Sequence, residues 1–331
     1  MKSRLVELDY MRGLACIAVV LTHITALGVV EYLPGSPHKI LSTYMNRSFN
    51  FTVPVFIFLS GLTGFLGYTK KPFHYGVFLK KRLGKIVIPY ILWVFFYYAS
   101  FLAMGIYVLD IQYLMKSIIL GDMSYHLYFI VIIVQLYLLS PLFYYAVKRW
   151  NNKYFIGAMG LLNLYFMVTV YFPYSDRIFF KYMFFYILGI SAALNYDLFI
   201  DRIKKYGLLC MIAGILVSIA YALTYYHYMA SNTYYYFIYC VLAIFFLCWI
   251  GMHLKEKYRR LDSFIETVSD NSYYIYLGHP FAINVLLFIF NRFYPGIQSI
   301  TLKLLILIIV VPVLTIGTSA LYSKMKHRYL T

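Results

Sequence analysis

The sequence predicts an all-α integral membrane protein with about ten transmembrane helices and both termini in the cytoplasm. Three observations carry this fold class. Of the 331 residues, 63% are hydrophobic and only 12% are charged, whereas soluble domains carry about 25% charged residues. Apolar runs of the roughly 17–25 residues that a membrane helix needs recur along the whole chain. The loops between these runs alternate between strongly and weakly basic segments.

Ten apolar runs have the length of a membrane-spanning helix. The sixth is short and rich in tyrosine. Residues 110–122 are too short to span and are typical of an interfacial or re-entrant helix. No appended soluble domain is visible, so we expect one membrane domain over residues 1–331. The predicted spans are 8–30, 49–68, 83–106, 125–147, 154–172, 179–195, 206–227, 234–253, 271–291 and 300–322.

Basic residues fall mainly on one set of loops. With the N-terminus inside, the inner segments hold 22 of the 29 lysines and arginines and the outer segments hold 7. Cytoplasmic loops of membrane proteins carry such an excess of positive charge. The net charge of +17 is therefore explained by topology, and we expect no nucleic-acid partner.

The first predicted span carries three polar side chains on one face: Asp9, Arg12 and His23. At 100° per residue, Arg12 and His23 lie within about 20° of each other, and Asp9 lies within about 40° of His23. Charged groups in a bilayer cost several kcal/mol unless they face a polar interior. His23 suits a general base near neutral pH, or it is a structural histidine. Arg12 pairs with Asp9, binds an anionic group that arrives from the cytosol, or does both.

A second polar stripe follows the ninth predicted span. Ser269, Ser272, Tyr276 and His279 have spacings of 3, 4 and 3, which place them on one helical face. The stripe predicts either contact with substrate or cofactor, or hydrogen bonds between helices. Pro280 is expected to kink the helix just after His279.

Three further segments contain candidate site residues. In the inner loop 70–90, Arg82 and Lys85 lie one turn apart and are placed to bind phosphates, although topology and contact with anionic lipids explain most cations of this loop. Ser60 lies among the small residues of segment 55–67, which favour helix packing or present its hydroxyl to a cavity. His126, at the outer end of the fourth span, either has a direct role or is solvated at the interface.

Other patterns narrow the function. The tyrosine-rich run 221–239 is typical of an aromatic belt at the membrane interface, or it forms a stacking platform for sugar rings. The four cysteines lie in apolar runs without metal-like spacing, so we expect no metal site. Walker A, GxSxG and HExxH motifs are absent from the sequence. ATP hydrolysis and zinc chemistry are therefore disfavoured.

Together these segments resemble the type 3 membrane acyltransferase family, which acylates surface carbohydrates and other hydroxyl acceptors. The resemblance spans nearly the whole chain. It is nearest to the intercellular adhesion branch, which is linked to O-succinylation or export of poly-N-acetylglucosamine. It rests on LDYMRG at 8–13 with His23 following Arg12, VFIFLSG at 55–61, RLGKIVIPY at 82–90, HLYF at 126–129 and SYYIYLGHPF at 272–281.

The resemblance implies a bacterial, multi-pass membrane O-acyltransferase linked to biofilm polysaccharide. Acyl-CoA would be the co-substrate, with no tightly bound cofactor, and its phosphates would lie near Arg82 and Lys85 with Arg12 assisting. His23 would act as general base or carry the acyl group, and Asp9 would orient Arg12. The implied partners are a surface polysaccharide or lipid-linked glycan, membrane lipids and a glycan synthase complex.

Two alternatives stay open beside the enzyme. The first is a transporter or flippase that exports a surface polysaccharide, which predicts polar linings on several helices. The polar residues concentrate instead on the first, third and ninth predicted spans, which favours a confined catalytic site. The second is a sensor or scaffold, which leaves His23 and Arg12 unexplained.

Overall fold

A computed structural model describes residues 4–69, 71–228, 232–255, 257–296 and 298–330, without the side chains of Arg259 and residues 326–330. Within these ranges the chain forms thirteen α-helices and three short 3-10 helices, and no strand. The predicted all-α fold class is confirmed. The α-helices are α1 (Val6–Glu31), α2 (Pro37–Ser48), α3 (Thr52–Phe65), α4 (Tyr75–Ala103), α5 (Ile111–Leu120), α6 (Tyr128–Leu138), α7 (Ser140–Trp150), α8 (Lys153–Thr169), α9 (Met183–Leu194), α10 (Tyr196–Tyr228), α11 (Thr233–Leu254), α12 (Arg259–Phe293) and α13 (Ile300–Leu330).

The chain divides into two compact units. Unit 1 comprises the residues up to Phe56 together with those from Ile200 onward, and unit 2 comprises Ile57–Phe199. The boundaries fall inside α3 and near the start of α10. Each unit is described separately below.

Seven helices among the described residues are long and apolar enough to cross a membrane. An eighth span results if α6 and α7, which meet at an angle of 59°, are counted as one. The ten predicted spans are therefore not confirmed. The predicted span 125–147 is bent because Pro141, in the first turn of α7, has no N–H to continue the helix. The predicted span 179–195 is divided into the 3-10 helix Phe179–Lys181 and the 12-residue helix α9.

Residues 110–122 form the short helix α5, as the sequence predicts. The Asp110 side chain accepts a hydrogen bond from the Tyr113 backbone N–H at 2.9 Å and caps the N-terminus. Gly121 ends the helix in the left-handed conformation, with φ 66°. Ten residues reach only about 15 Å, which is half of a bilayer core.

In unit 1, α1 packs against α2, α11, α12 and α13. Glycines allow these close approaches. A methyl group on Gly13 would lie 3.1 Å from the Ile265 side chain of α12, and one on Gly251 would lie 2.7 Å from Cβ of Tyr10. The polar stripe of α1 thus packs against other helices, with Arg12 and His23 partly exposed, which reduces the cost of exposing it to lipid.

The helix directions in unit 1 alternate as the predicted topology requires. The start of α1 contacts the end of α11 through Glu7 and Lys255, and its end contacts the start of α13 through Tyr32 and Thr301. Tyr322, near the end of α13, packs on α12 at Tyr274, with ring centroids 4.9 Å apart. The N-terminal segment and the end of α13 therefore lie at the same end of unit 1. That this end faces the cytoplasm stays a prediction.

In unit 2, α3 and α9 cross at two glycines. A methyl group on Gly61 would overlap the Tyr186 carbonyl oxygen, and one on Gly189 would overlap the Phe58 carbonyl oxygen. The packing interpretation of segment 55–67 is therefore confirmed at Gly61. Beside this crossing lies an aromatic cluster in which ring centroids of neighbouring members are about 5–6 Å apart, made of Phe65, Tyr68, Phe73, Phe78 and Tyr144.

Candidate functional site

The two polar stripes predicted from the sequence contact each other in unit 1, one on α1 and one on α12. The Ser269 hydroxyl donates a hydrogen bond to Oδ1 of Asp9 at 2.8 Å. Nη1 of Arg12 donates to the same hydroxyl at 3.3 Å. Further along, Sγ of Cys16 lies 3.7 Å from the Ser272 carbonyl oxygen. The stripes run in the same direction, because residue numbers rise together along both helices.

At the far end of the stripes, His23 and His279 form a pair. Their ring centroids are 5.1 Å apart and the rings are tilted by 30°. His279 is completely buried, whereas His23 keeps part of its surface exposed. The pair therefore has one member that is completely buried and one that is partly exposed.

The backbone of α12 fixes the His279 ring. Nδ1 of His279 lies 3.1 Å from the Ile275 carbonyl oxygen. A carbonyl only accepts hydrogen bonds, so Nδ1 carries the proton, and in the neutral ring Nε2 holds the lone pair. Pro280 follows inside the continuous helix and has no N–H to offer the Tyr276 carbonyl four residues earlier. The His279 ring interacts with this carbonyl as well.

Tyr276 lies beside the histidine pair. Its ring centroid is 6.1 Å from that of His279, and it stacks on Tyr273 at 6.5 Å. Only 5% of Tyr276 is exposed. The structure thus brings together three residues that the sequence assigned separately to catalysis and to substrate contact.

Arg4 is a member of this region that the sequence analysis did not identify. Its guanidinium donates to Asp9, to Glu266 at 2.6 Å and to Asp270 at 2.9 Å. Asp9 therefore binds Arg4 more closely than Arg12, whose Nη1 is 3.8 Å away. The signal in the sequence was the pair Glu266 and Asp270, four residues apart on one face of a helix.

The carboxylates around Arg4 stabilise its charged form. Partial burial alone would lower the pKa of Arg4, but the hydrogen bonds that its guanidinium donates to Asp9 and Asp270 raise it above its ordinary value. Like other arginines, Arg4 is charged at every physiological pH. It joins the segment before α1 to α12 and satisfies the charge of Asp9.

In unit 2, Arg82 and Lys85 have different surroundings. Nη2 of Arg82 donates to the Thr63 carbonyl oxygen at 2.9 Å, and its guanidinium carbon lies 5.8 Å from the Phe78 ring. Lys85 is exposed. In the described part of the chain the two cations share no partner, and their role toward phosphates stays a prediction.

Ser60 and His126 also belong to unit 2. Ser60 is half-buried on α3, next to the crossing at Gly61. His126 is only 2% exposed, its Nδ1 lies 3.2 Å from the Ser124 hydroxyl, and its ring contacts Tyr97. The expectation of a solvated interfacial histidine is wrong, because the ring is buried next to Tyr97 of α4 and the Ser124 hydroxyl.

Tyrosines of the run 221–239 brace the segment around α2. The Tyr221 hydroxyl accepts from the Asn50 amide at 3.1 Å, and the Tyr226 hydroxyl accepts from the Gly35 N–H at 3.0 Å. The Arg47 guanidinium carbon lies 3.5 Å from the centre of the Tyr225 ring. These side chains act within the protein, a role that neither the aromatic belt nor the sugar platform predicted.

Comparison with known proteins adds a family to this geometry. A family model described as an acyltransferase domain matches residues 5–322. The chain is 27% identical over 311 residues to a protein of Staphylococcus aureus (strain MSSA476) named a probable poly-beta-1,6-N-acetyl-D-glucosamine export protein, which covers 88% of this chain and 86% of that protein. A protein of the same name from Staphylococcus epidermidis is 27% identical over 312 residues, 88% of this chain and 85% of that protein.

No solved structure matches the chain. The family match confirms the resemblance that the motifs indicated, and it includes both polar stripes. Together with the apolar helices of both units, the family match also confirms the predicted location in a membrane. The chain belongs to the acyltransferase-domain family and is a multi-pass bacterial membrane protein.

Proposed function

We propose that the protein is a membrane O-acyltransferase. It moves an acyl group, acetyl or succinyl, from cytosolic acyl-CoA to a hydroxyl of a cell-surface polysaccharide or of its lipid-linked precursor. The observation that carries this proposal is the pair of His23 and His279 on facing stripes of two apolar helices, with rings 5.1 Å apart. Ionisable residues inside a membrane are expensive and mark functional sites.

In the proposed reaction, His23 is the general base because it is the accessible member of the pair. It takes the proton of the acceptor hydroxyl while the oxygen attacks the thioester carbonyl. The new C–O bond forms and the C–S bond breaks. The departing CoA thiolate recovers the proton from the His23 imidazolium. His279, held by the Ile275 carbonyl, orients His23 and stabilises its charged form, as the third member of a catalytic triad does.

The other polar residues receive supporting roles. Arg12 binds an anionic part of the donor and is held by the Ser269 hydroxyl and Asp9. Arg82 and Lys85 bind donor phosphates. The residues proposed to contact the acceptor are Ser60, His126 and Tyr276.

The name of the relatives supports a polysaccharide as the acceptor. Because such a polymer is made at the membrane, a glycan synthase complex is the proposed protein partner. Anionic lipids are proposed to contact the exposed cations of the predicted inner loops. We place the acylated glycan in biofilm formation.

Export of the polysaccharide is the second candidate function, and the name of the relatives favours it directly. An exporter needs a polar path through the membrane on several helices. In unit 1, the two facing polar stripes that end at the histidine pair lie on two helices, α1 and α12. This concentration supports a confined reaction centre over a path.

The test compares His23→Ala and Arg12→Ala with the wild type at matched expression. Ester-linked acyl groups on the cell-surface glycan are measured by mass spectrometry, and the exported glycan by immunodetection. We expect both variants to lose acyl groups while the glycan still reaches the surface. The matched control is His74→Ala, since His74 is an exposed histidine outside both stripes. Persistent acylation in both variants together with failed export would establish the exporter.

A further inference from the structure

A pocket of about 660 Å³ opens at one end of unit 2. Three separate segments of the chain form it. They are the described residues 68, 69, 71 and 72, the end of α7 with Asn151, and the end of α9 with Asn195. Its volume falls within the roughly 300–1,000 Å³ that is usual for small-molecule sites.

Three cations line the pocket: Lys71, Lys148 and Arg149. The described residues of the lining include no carboxylate. In the part of the chain that the structure describes, none of the three makes an ion pair. Like charges that gather in one cavity repel each other, and a bound anion removes that repulsion.

The pocket also has a firm floor and neutral donors. Tyr144 and Val147 are buried beneath it. The side-chain oxygen of Asn151 accepts a hydrogen bond from the Ser191 hydroxyl at 2.6 Å, so its NH2 group is left to act as a donor. Cations and amide donors without carboxylates are the chemistry that recognises phosphate.

All three segments are ones that the distribution of basic residues assigns to the cytoplasmic side. The structure gathers them at the same end of unit 2, although they are separated by up to about 125 residues in sequence. The predicted topology therefore places the pocket on the side from which a cytosolic donor arrives.

The aromatic cluster connects this pocket to Arg82. The Arg82 guanidinium carbon is 5.8 Å from the Phe78 ring, Phe78 is 5.1 Å from Phe65, and Phe65 stacks on Tyr144 at 5.2 Å. Tyr144 in turn lines the pocket. The pocket and Arg82 are thus separate sites for negative charge within one unit, and CoA carries separate phosphates: a diphosphate and a ribose 3′-phosphate.

We propose that this pocket binds the 3′-phosphate of the CoA moiety through Lys71, Lys148 and Arg149, with Asn151 as a neutral donor. This assignment rests on the proposed function for the identity of the donor. In this assignment the pocket binds the 3′-phosphate and Arg82 binds the diphosphate.

Binding to the full-length protein in phosphatidylcholine nanodiscs tests the assignment. The ligands are CoA and dephospho-CoA, which lacks the 3′-phosphate, and Kd is measured by calorimetry. We expect the double variant K148A/R149A to raise the Kd for CoA at least about tenfold, because charge-assisted hydrogen bonds contribute on the order of a factor of ten or more. Its Kd for dephospho-CoA should equal that of the wild type. The matched control is Lys80→Ala, an exposed cation of the same unit outside the pocket.

Three results would overturn the assignment. One is equal weakening of CoA and dephospho-CoA by K148A/R149A, and another is no CoA binding by the wild type. In the third, phosphatidylglycerol nanodiscs stabilise the wild type but not K148A/R149A, while K148A/R149A still discriminates between CoA and dephospho-CoA as the wild type does. That result would assign the pocket to a lipid headgroup. The melting temperature of the unliganded variant checks its folding.

The same measurement separates this assignment from the proposed function. His23→Ala should bind CoA as the wild type does although it transfers no acyl group. If the wild type distinguishes CoA from dephospho-CoA through the pocket and still acylates nothing, the proposed function fails and the assignment stands. If acyl transfer is intact and K148A/R149A leaves the CoA affinity unchanged, only the assignment fails.

Discussion

The α1–α12 region of unit 1 and the α3–α4 region of unit 2 use polar side chains in opposite ways. In the first, side chains of two helices contact each other, as Asp9 with Ser269 and His23 with His279. In the second, Arg82 binds the backbone carbonyl of Thr63 and lies over aromatic rings. Both regions carry polar residues in apolar helices, but only the first contains two facing polar stripes.

The difference between the two regions shows what a polar stripe in a sequence can predict about a site. A stripe on one helix requires polar neighbours, and a second stripe of matching period supplies them on a facing helix. A cation near the end of a helix is instead satisfied by the carbonyl groups and rings around it. Paired stripes therefore predict contacts between named residues, whereas basic clusters predict only a region.

The largest effect should distinguish the buried histidine of unit 1, His279, from that of unit 2, His126. Replacing His279 with Gln removes the partner that orients His23, and we expect kcat for acyl transfer to fall about 10²–10⁴-fold, the usual contribution of acid–base catalysis. His126→Gln should raise KM for the acceptor and leave kcat within about threefold, since His126 is proposed to bind rather than to react. Kinetics with purified protein would measure both. Equal losses of kcat in the two variants would contradict the proposed difference in role between His279 and His126.

A smaller effect concerns the close helix crossing in unit 2. Gly61→Ala places a methyl group against the backbone carbonyl of Tyr186, which has no flexible side chain to move. We expect a destabilisation of about 1–3 kcal/mol, read as a lower melting temperature in detergent. The control is Gly84→Ala, where nothing lies within 4 Å. A methyl group at Gly84 should stabilise α4 by up to about 1 kcal/mol. A loss of stability in both variants would contradict the close contact of α3 and α9 at Gly61.

The smallest expected effect is on stability, when one of two cations, Arg4 or Lys85, is replaced. Arg4→Ala removes the ion pairs with Asp9, Glu266 and Asp270. Because Arg4 is 40% exposed, we expect a loss of only about 1 kcal/mol, reduced at high salt. Lys85→Ala should change stability by less than about 0.5 kcal/mol. Denaturation at low and high ionic strength measures the stability of both variants. If Arg4→Ala loses the same stability at both ionic strengths, Arg4 acts by packing alone.

Much of this protein follows from the sequence by itself. Composition and the length of apolar runs determined the all-α membrane fold, because a bilayer admits only segments that satisfy their own backbone. The short helix α5 and the packing role of Gly61 followed from length and residue size. The stripes on α1 and α12 followed from helical periodicity, and the motifs along the chain gave the family.

Other features required the tertiary structure. The sequence showed two stripes but not that they face each other, because periodicity fixes a face and not its partner. Arg4 was missed for the same reason, since two of its three carboxylates lie more than 260 residues away. Pro141 was visible in the sequence, but the 59° angle between α6 and α7 came from the structure. The basic pocket exists only because folding gathers three distant loops at one end of unit 2, where their charges share one cavity.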